Sequence, residues 1–494
     1  MNRLRAAFAC ITFAAFVGCS HAGSSTGLSM MPNRAPVAVD AFSGAMPIQH
    51  VIVIVQENRT VDNLFQGFNG KYHEGLDLQS WGYDSKGHRV PLVPVPFEAP
   101  YDNIHEHALR LGRPGGFVTE FNGGKMNGWD LEAHRCALPE QGWFGPCPIP
   151  HWTAYGFVPQ WETTQYFQLA HDFVIADHVR QMNEGPSFIA HQYLIAGQSG
   201  GFTGPWAESS QPNTETTSGC NRAGSYVRQI KIGSPYPGIQ GNPRFPCEDY
   251  RPYLTILEAM DRKYPADSND WAYDAPGVGF VSATWIAPWG VRTIYDDPLQ
   301  YRKVHQPETT IFTQLSNPPG RDGLAKLTYV VPCMINSDHA TSLNAAGPRW
   351  VASVVNAVAK SRYWKSTAIL VTWDDWGGWF DHYPPIHPAF HKQQYGSDDP
   401  YEYGFRVPLL VISPWIKNPG TVDHTVRTQA SILSFTEWVF GLSSLKTLDQ
   451  YSDNLSTLFD FTRKPIRYKP IDTHHFDTND CAQSSAAENE PVDD

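Results

Sequence analysis

The sequence predicts an α/β protein with a mostly parallel central sheet, and three stretches carry that expectation. Residues 51–55, V-I-V-I-V, are an unbroken β-branched run with no polar face, the pattern of a strand buried on both sides beneath helices. Residues 367–372 form a second buried strand. Residues 348–360 have helical period, with Trp350, Val351, Val354, Val355 and Val358 along one apolar stripe. Both strands run straight into polar groups: Gln56, Glu57, Asn58, Arg59 and Asp62 after the first, Asp374 and Asp375 after the second. Ligands of open α/β sheets bind beyond the carboxyl ends of the strands, which is where these residues fall.

The remaining elements are shorter. Residues 173–176, 279–285 and 327–332 read as strands, as does the apolar segment within 405–415, and residues 428–440 read as a further amphipathic helix. Residues 72–161 hold no long periodic element and read as loop; residues 208–270, polar and rich in Gly and Pro, read as an insertion or lid. The expected catalytic domain spans 46–475, behind a flexible tether at 25–45 and ahead of a disordered acidic tail at 476–494.

At 494 residues, 41% hydrophobic and 17% charged, the chain is long enough for one large or two ordinary domains. Its net charge of −12 argues against a nucleic-acid partner, because phosphate backbones demand clustered Lys and Arg. Sixteen Trp, 40 Gly and 40 Pro suggest long ordered loops over a compact core. The first 24 residues read as an export signal: Arg3 and Arg5 precede an apolar run at 6–17 that is too short to span a bilayer comfortably. Residues 16–19, F-V-G-C, resemble a bacterial lipobox, which would put a lipid on Cys19; cleavage near Ala22 is the alternative. Localisation is therefore expected to be periplasmic, outer-membrane or secreted. Of eight cysteines, Cys10 and Cys19 fall in the signal, leaving an even set that reads as disulfides. Sequence proximity suggests Cys136–Cys147 and Cys220–Cys247, with Cys333 and Cys481 left over.

Chemistry concentrates in a few runs. Adjacent carboxylates such as Asp374 and Asp375, at the end of a buried strand, repel unless a cation or proton holds them, so a divalent metal is the economical reading. Ser187 follows Gly185-Pro186 and opens a segment closed by Gly197, which places it near a helix N-terminus where backbone N–H groups favour an anion. By position alone a Ser near a helix N-terminus is usually just a cap. His105 and His107 lie in loop sequence, and Asp338-His339 lies just past the 327–332 strand.

The run Q-E-N-R-T-V-D-N-L-F at 56–65 resembles the E-N-R-S-F-D-x-x-F signature of the phosphoesterase family of bacterial phospholipases C and acid phosphatases. Further blocks follow in family order: N-G-G-K-M-N-G-W at 122–129, T-W-D-D-W-G-G-W-F-D-H at 372–382, and R-V-P-L-L-V-I-S-P-W at 406–415. The resemblance implies an alkaline-phosphatase-like three-layer sandwich and hydrolysis of phosphate esters through a phosphoserine. It implies Ser187 as nucleophile, Glu57, Asn58, Asp374 and Asp375 as ligands of a divalent metal of unknown identity, and His105 and His339 as phosphoryl-binding or proton-donating groups. Asn58 has a second reading, as a hydrogen-bond donor to phosphate, and His424 is either near the site or structural. Phospholipase C and acid phosphatase share these motifs, so a phospholipid and a phosphate monoester both remain open as substrate. A cell-surface binding protein that keeps the fold without turnover is the alternative from another class.

Overall fold

The computed structural model describes residues 45–473, apart from 71–74, 104, 106–115, 133, 139–142, 147–152, 186, 200–205, 210–218, 222–226, 230–246, 248, 252–253, 266–267, 278–282, 341, 343 and 387–402. The expected signal with its lipid-acceptor candidate Cys19, and the expected acidic tail, therefore lie outside the described residues, as do Cys147 and Cys481. Among the described residues no helix is long and apolar enough to cross a membrane.

The framework alternates strands and helices: β1 (His50–Gln56), α1 (Thr164–Asp172), β2 (Val174–Ala176), α2 (Ser187–Ala196), α3 (Ile256–Lys263), β3 (Trp271–Asp274) and β4 (Val304–His305). It continues through α4 (Thr310–Ser316), β5 (Leu327–Val330), α5 (Gly347–Lys360), β6 (Thr367–Trp373), β7 (Leu409–Ile412), β8 (Thr421–Asp423) and α6 (Ala430–Phe440). The strands form one eight-stranded sheet in the order β4-β3-β5-β1-β6-β7-β2-β8. Only β7 runs against its neighbours; the other pairs are parallel.

β1 lies centrally because nothing on it needs water: Val51, Ile52, Val53, Ile54 and Val55 are each no more than 1% exposed. Helices cover both faces in two packed groups, α1 with α5 and α4 on one side and α2 with α6 and α3 on the other. α5 has Pro348 in its first turn and buries the predicted stripe of Trp350, Val351, Val354, Val355 and Val358. α2 and α6 are buried along their whole length, so neither shows an amphipathic pattern sharp enough to fix its ends. α6 closes at Gly441, whose φ of 59° is the left-handed conformation that glycine adopts without a Cβ penalty.

The main strands and helices fall close to the predicted positions, with three differences. No strand occupies the described part of 279–285, where residues 283–285 form a turn; β3 and β4 supply that half of the sheet instead. Within 208–270, residues 256–263 form the core helix α3, capped by a Thr255–Glu258 capping box and buried through Ile256, Leu257 and Met260. The lid reading therefore does not describe that helix. The expected loop region 72–161 carries short two- and three-stranded ribbons. Cys220 and Cys247 are disulfide-bonded, as proximity suggested. Cys333 is also in a disulfide.

One acid in α6 makes stability depend on pH. Burial and the nearby Asp449 carboxylate push Glu437 from an ordinary 4.5 up to about 9. The folded chain thus holds a proton that the unfolded chain releases, so this group's favourable contribution is complete below about 4.5 and is lost as pH rises towards about 9. Glu437→Gln keeps the acceptor for the Leu445 amide without needing that proton. Urea denaturation is expected to show the variant matching the parent at pH 5 and exceeding it at pH 8.

Candidate active site at the carboxyl edge of the sheet

The site is assembled by strand register. β1 and β6 pair so that Gln56 lies opposite Trp373, and the Gln56 carbonyl accepts the Asp374 amide at 2.9 Å. The residues that follow, Glu57 and Asn58 on one strand and Asp374 and Asp375 on the other, are delivered side by side. Asn58 has a φ of 48°, and its amide donates to Asp374 Oδ1 at 2.9 Å. Left-handed Asn is uncommon but tolerated, and here it turns the side chain back into the cluster.

Ser187 comes from below as the first residue of α2. Its hydroxyl lies 3.2 Å from Asp375 Oδ2 and 3.4 Å from Glu57 Oε2, and accepts from Asn58 Nδ2 at 3.1 Å. The same Asn58 nitrogen is 3.0 Å from Asp375 Oδ2 and 3.2 Å from His105 Nε2. His105 faces the Asn103 carbonyl through Nδ1 at 3.0 Å, which assigns the proton to Nδ1 and leaves Nε2 turned into the site. Glu57, Asp374, Asp375 and Ser187 are all 0% exposed.

One residue that sequence reasoning passed over joins them. His191 Nε2 is 3.0 Å from Glu57 Oε1 and 3.8 Å from Asp374 Oδ2. Glu57, His191 and Asp374 each offer a donor atom within 4.8 Å of the others. The signal was present: His191 is four residues after Ser187, so on a helix both occupy one face. The buried oxygens Asp374 Oδ2 and Asn58 Oδ1 have no hydrogen-bond partner. A dry carboxylate oxygen without a donor, beside a second carboxylate and an imidazole, fits a divalent cation. As oriented, the Asn58 amide presents NH₂ to the cluster, which suits a donor better than a ligand.

The His339 amide donates to Ser337 Oγ at 3.2 Å, its Nδ1 lies against the Ala340 carbonyl, and its ring sits 6.0 Å from Trp285. The preceding Asp338 is buried, receives Tyr166 Oη at 2.7 Å and Trp373 Nε1 at 2.8 Å, and is pushed up to about 6 by desolvation. Behind Asp375, Trp376 Nε1 donates to Glu120 at 2.7 Å, and burial raises that carboxyl to about 8.

Two glycines follow the acids because the chain must double back. Gly377 has φ 62°, donates to Asp375 Oδ1 at 2.7 Å, and leaves no room for a side chain: an added Cβ would stand 2.3 Å from the Asn58 carbonyl oxygen. Gly87 also has positive φ, at 83°, but has nothing within 4 Å of an added Cβ. Gly87→Ala is expected to cost only the backbone term, on the order of 1–3 kcal/mol. Gly377→Ala is expected to cost clearly more, read by urea denaturation of the two variants side by side.

The model of the phosphoesterase family matches residues 48–228 and 289–443. Phospholipase C A of Mycobacterium tuberculosis is 28% identical over 509 residues, covering 92% of this chain and 86% of its own. Non-hemolytic phospholipase C of Pseudomonas aeruginosa is 24% identical over 85% of this chain and 58% of its own length. Non-specific phospholipase C1 of Arabidopsis thaliana is 40% identical, but over 18% of each chain. The chain thus spans 18% and 58% of those last two relatives. A solved protein of the alkaline phosphatase superfamily from Vibrio parahaemolyticus aligns over 61% of this chain and 64% of its own at 9% identity, with a TM-score of 0.32, too faint a likeness to argue from. With the family model covering most of its length, the chain belongs to the phosphoesterase family.

Proposed function

We propose that this protein is an exported, metal-dependent hydrolase of phosphoric esters that works through a phosphoserine at Ser187. The observation that carries the reading is the Ser187 hydroxyl itself, buried at a helix N-terminus within 3.4 Å of two carboxylates and an amide. The proton on Oγ leaves toward Asp375 Oδ2, the acceptor it already faces, as the oxygen bonds to phosphorus. The ester P–O bond breaks, and the departing alkoxide takes a proton from Nε2 of the imidazolium form of His105, which leaves the ring neutral with its proton on Nδ1. Water then attacks the phosphoserine, its proton passing to His105 Nε2 as the serine P–O bond breaks and Asp375 returns its proton to Oγ. Asn58 Nδ2 holds Oγ in line and donates to a phosphoryl oxygen when substrate displaces part of its present network.

Glu57, Asp374 and Asp375 would hold the divalent ion, with His191 as an added ligand in the place where Asn58 serves as donor. Bound there, the ion supplies Lewis-acid stabilisation of phosphoryl charge and lowers the pKa of the hydroxyl. The helix dipole alone contributes about 0.3–1 kcal/mol, whereas taking a carboxylate out of water costs several kcal/mol. The dipole therefore does not balance three buried acids, and a cation does. Export rests on residues 1–24, and the Cys220–Cys247 bond suits an oxidising compartment. The relatives named above are phospholipases C, which favours a phospholipid diester over a monoester.

The test is hydrolysis of p-nitrophenyl phosphate beside p-nitrophenylphosphorylcholine. Ser187→Ala is expected to lose at least about a thousandfold in kcat, as removal of a nucleophile does, and EDTA is expected to abolish turnover until metal is restored. Preference for the choline diester assigns phospholipase C; preference for the monoester assigns a phosphatase. Absence of turnover on both, with metal supplied, overturns the hydrolase and leaves a binding protein. His191→Ala separates metal holding from chemistry. The metal concentration for half-maximal rate is expected to rise by at least about 10–100-fold, with most of the rate recovered at saturating metal.

A further inference from the structure

The mechanism above leaves His424 unused, and the structure places it in a second group of metal-type donors. Asp177 and His178 directly follow β2, and His424 directly follows β8. β2 and β8 are parallel neighbours, so both tails emerge at one edge of the sheet. Asp177, His178 and His424 each present a donor atom within 4.8 Å of the others. Asp177 is fully buried, and its two oxygens are 2.9 and 3.0 Å from His424 Nδ1. Asp77 approaches from a separate loop: its amide donates to Asp177 Oδ2 at 2.8 Å, and its own Oδ2 is 3.3 Å from His178 Nε2.

We propose that Asp177, His178 and His424, with Asp77 as fourth donor, form a second divalent-cation site of zinc type, distinct from the Ser187 cluster. The donor set argues for the class of ion. Two imidazoles with carboxylates suit Zn²⁺ and its neighbours, while Mg²⁺ and Ca²⁺ take oxygen ligands.

The surroundings argue that the site is prepared. Arg406 Nη1 donates to the Asp77 carbonyl at 2.9 Å and to the Asp177 carbonyl at 3.2 Å, fastening the two carboxylate-bearing segments together from behind. Charge points the same way. Asp62, Asp77, Asp177 and Asp381 gather about the two guanidinium groups of Arg180 and Arg406, an excess of acid. His382 bridges Asp62 at 2.6 Å and Asp77 at 3.4 Å, and even as imidazolium it leaves negative charge over.

Access is built in as well. The Asp77 and His424 side chains are 41% and 44% exposed while Asp177 is closed off, so an ion enters from solvent onto a fixed inner carboxylate. Entry takes over His424 Nδ1 from its hydrogen bond to Asp177, the neutral ring then carrying its proton on Nε2. The ion then ties the β2 tail, the β8 tail and the Asp77 loop together, and stabilises the fold by mass action.

The experiment is equilibrium dialysis of the EDTA-stripped protein against Zn²⁺, with bound metal counted per chain. The parent is expected to retain one more Zn²⁺ than His424→Gln, and Asp374→Asn one more than Asp374→Asn/His424→Gln. Activity of the His424→Gln chain toward whichever ester the parent hydrolyses is expected to be unchanged. His424 is the substituted ligand because its exposed ring is dispensable to packing, whereas His178 is buried. As a second readout, Zn²⁺ is expected to raise the Tm of Asp374→Asn and to leave that of the double variant where it was. Equal Zn²⁺ stoichiometry with and without His424, or an equal Tm rise in both, overturns the site and leaves the Asp177–His424 contact an ordinary hydrogen bond.

Discussion

Three carboxylates, Glu57, Asp374 and Asp375, are removed from water around a single hydroxyl, and the geometry of the whole sheet edge follows from having to keep them there. Each carboxylate would lose several kcal/mol on burial without compensation. Compensation begins in the backbone: the Asn58 amide serves Asp374, and the Gly377 amide serves Asp375. Both bonds require left-handed backbone, at Asn58 and at Gly377, so each strand must break its extended course within two to four residues of its end. What the backbone cannot neutralise is left to Asn58 Nδ2, His105 and His191, and Asp374 Oδ2 is buried without a hydrogen-bond partner.

The conserved-looking motifs divide into two jobs. In the block at 372–382, Asp375 faces Ser187 and Asp374 faces the Asn58 amide and His191, whereas Asp381 binds Arg406 Nε at 2.9 Å and His382 binds Asp62. The 56–65 run divides likewise. Glu57 and Asn58 enter the site; Arg59 reaches away, donating to the Asp338 carbonyl at 2.8 Å and lying over Phe97 and Trp379. Buried pairs such as Asp381–Arg406 add little net stability, but removing one partner leaves an uncompensated charge that costs about 3–5 kcal/mol. These pairs therefore lock the two motif-bearing loops in one arrangement, and the catalytic half inherits its precision from the ionic half.

The sequence showed the central strands well because burial on both faces leaves an unbroken apolar run, as in β1 and β6. It also brought Glu57, Asn58, Ser187, Asp374, Asp375 and His105 to one place, since strand ends and a helix start converge in this topology. It failed where apolar character was not the signal. β4 and β8 are two and three residues long at the sheet margins, and α3 sits in sequence whose Gly and Pro content masks it. His191 was legible only once α2 was known to begin at Ser187, because its relation to that serine is one helical turn. The use of Asp338 in a buried contact with Tyr166 and Trp373 was not legible either, because both partners are distant in sequence.

The antiparallel course of β7 explains how cationic side chains reach an edge otherwise crowded with strand-end acids. β1, β6, β2 and β8 all finish there, each delivering polar residues that follow a buried strand. A parallel β7 would finish there too and would leave its entry at the far edge. Reversed, β7 brings its entry instead: Leu409 lies opposite both Thr372 and Ala176, so Arg406, three residues earlier, lands among Asp62, Asp177 and Asp381. One guanidinium thereby braces the β2 tail, the Asp77 loop and the 372–382 block together. The reversed strand between β6 and β2 is what lets a single arginine reach the acids that follow both neighbouring strands, Asp381 after β6 and Asp177 after β2.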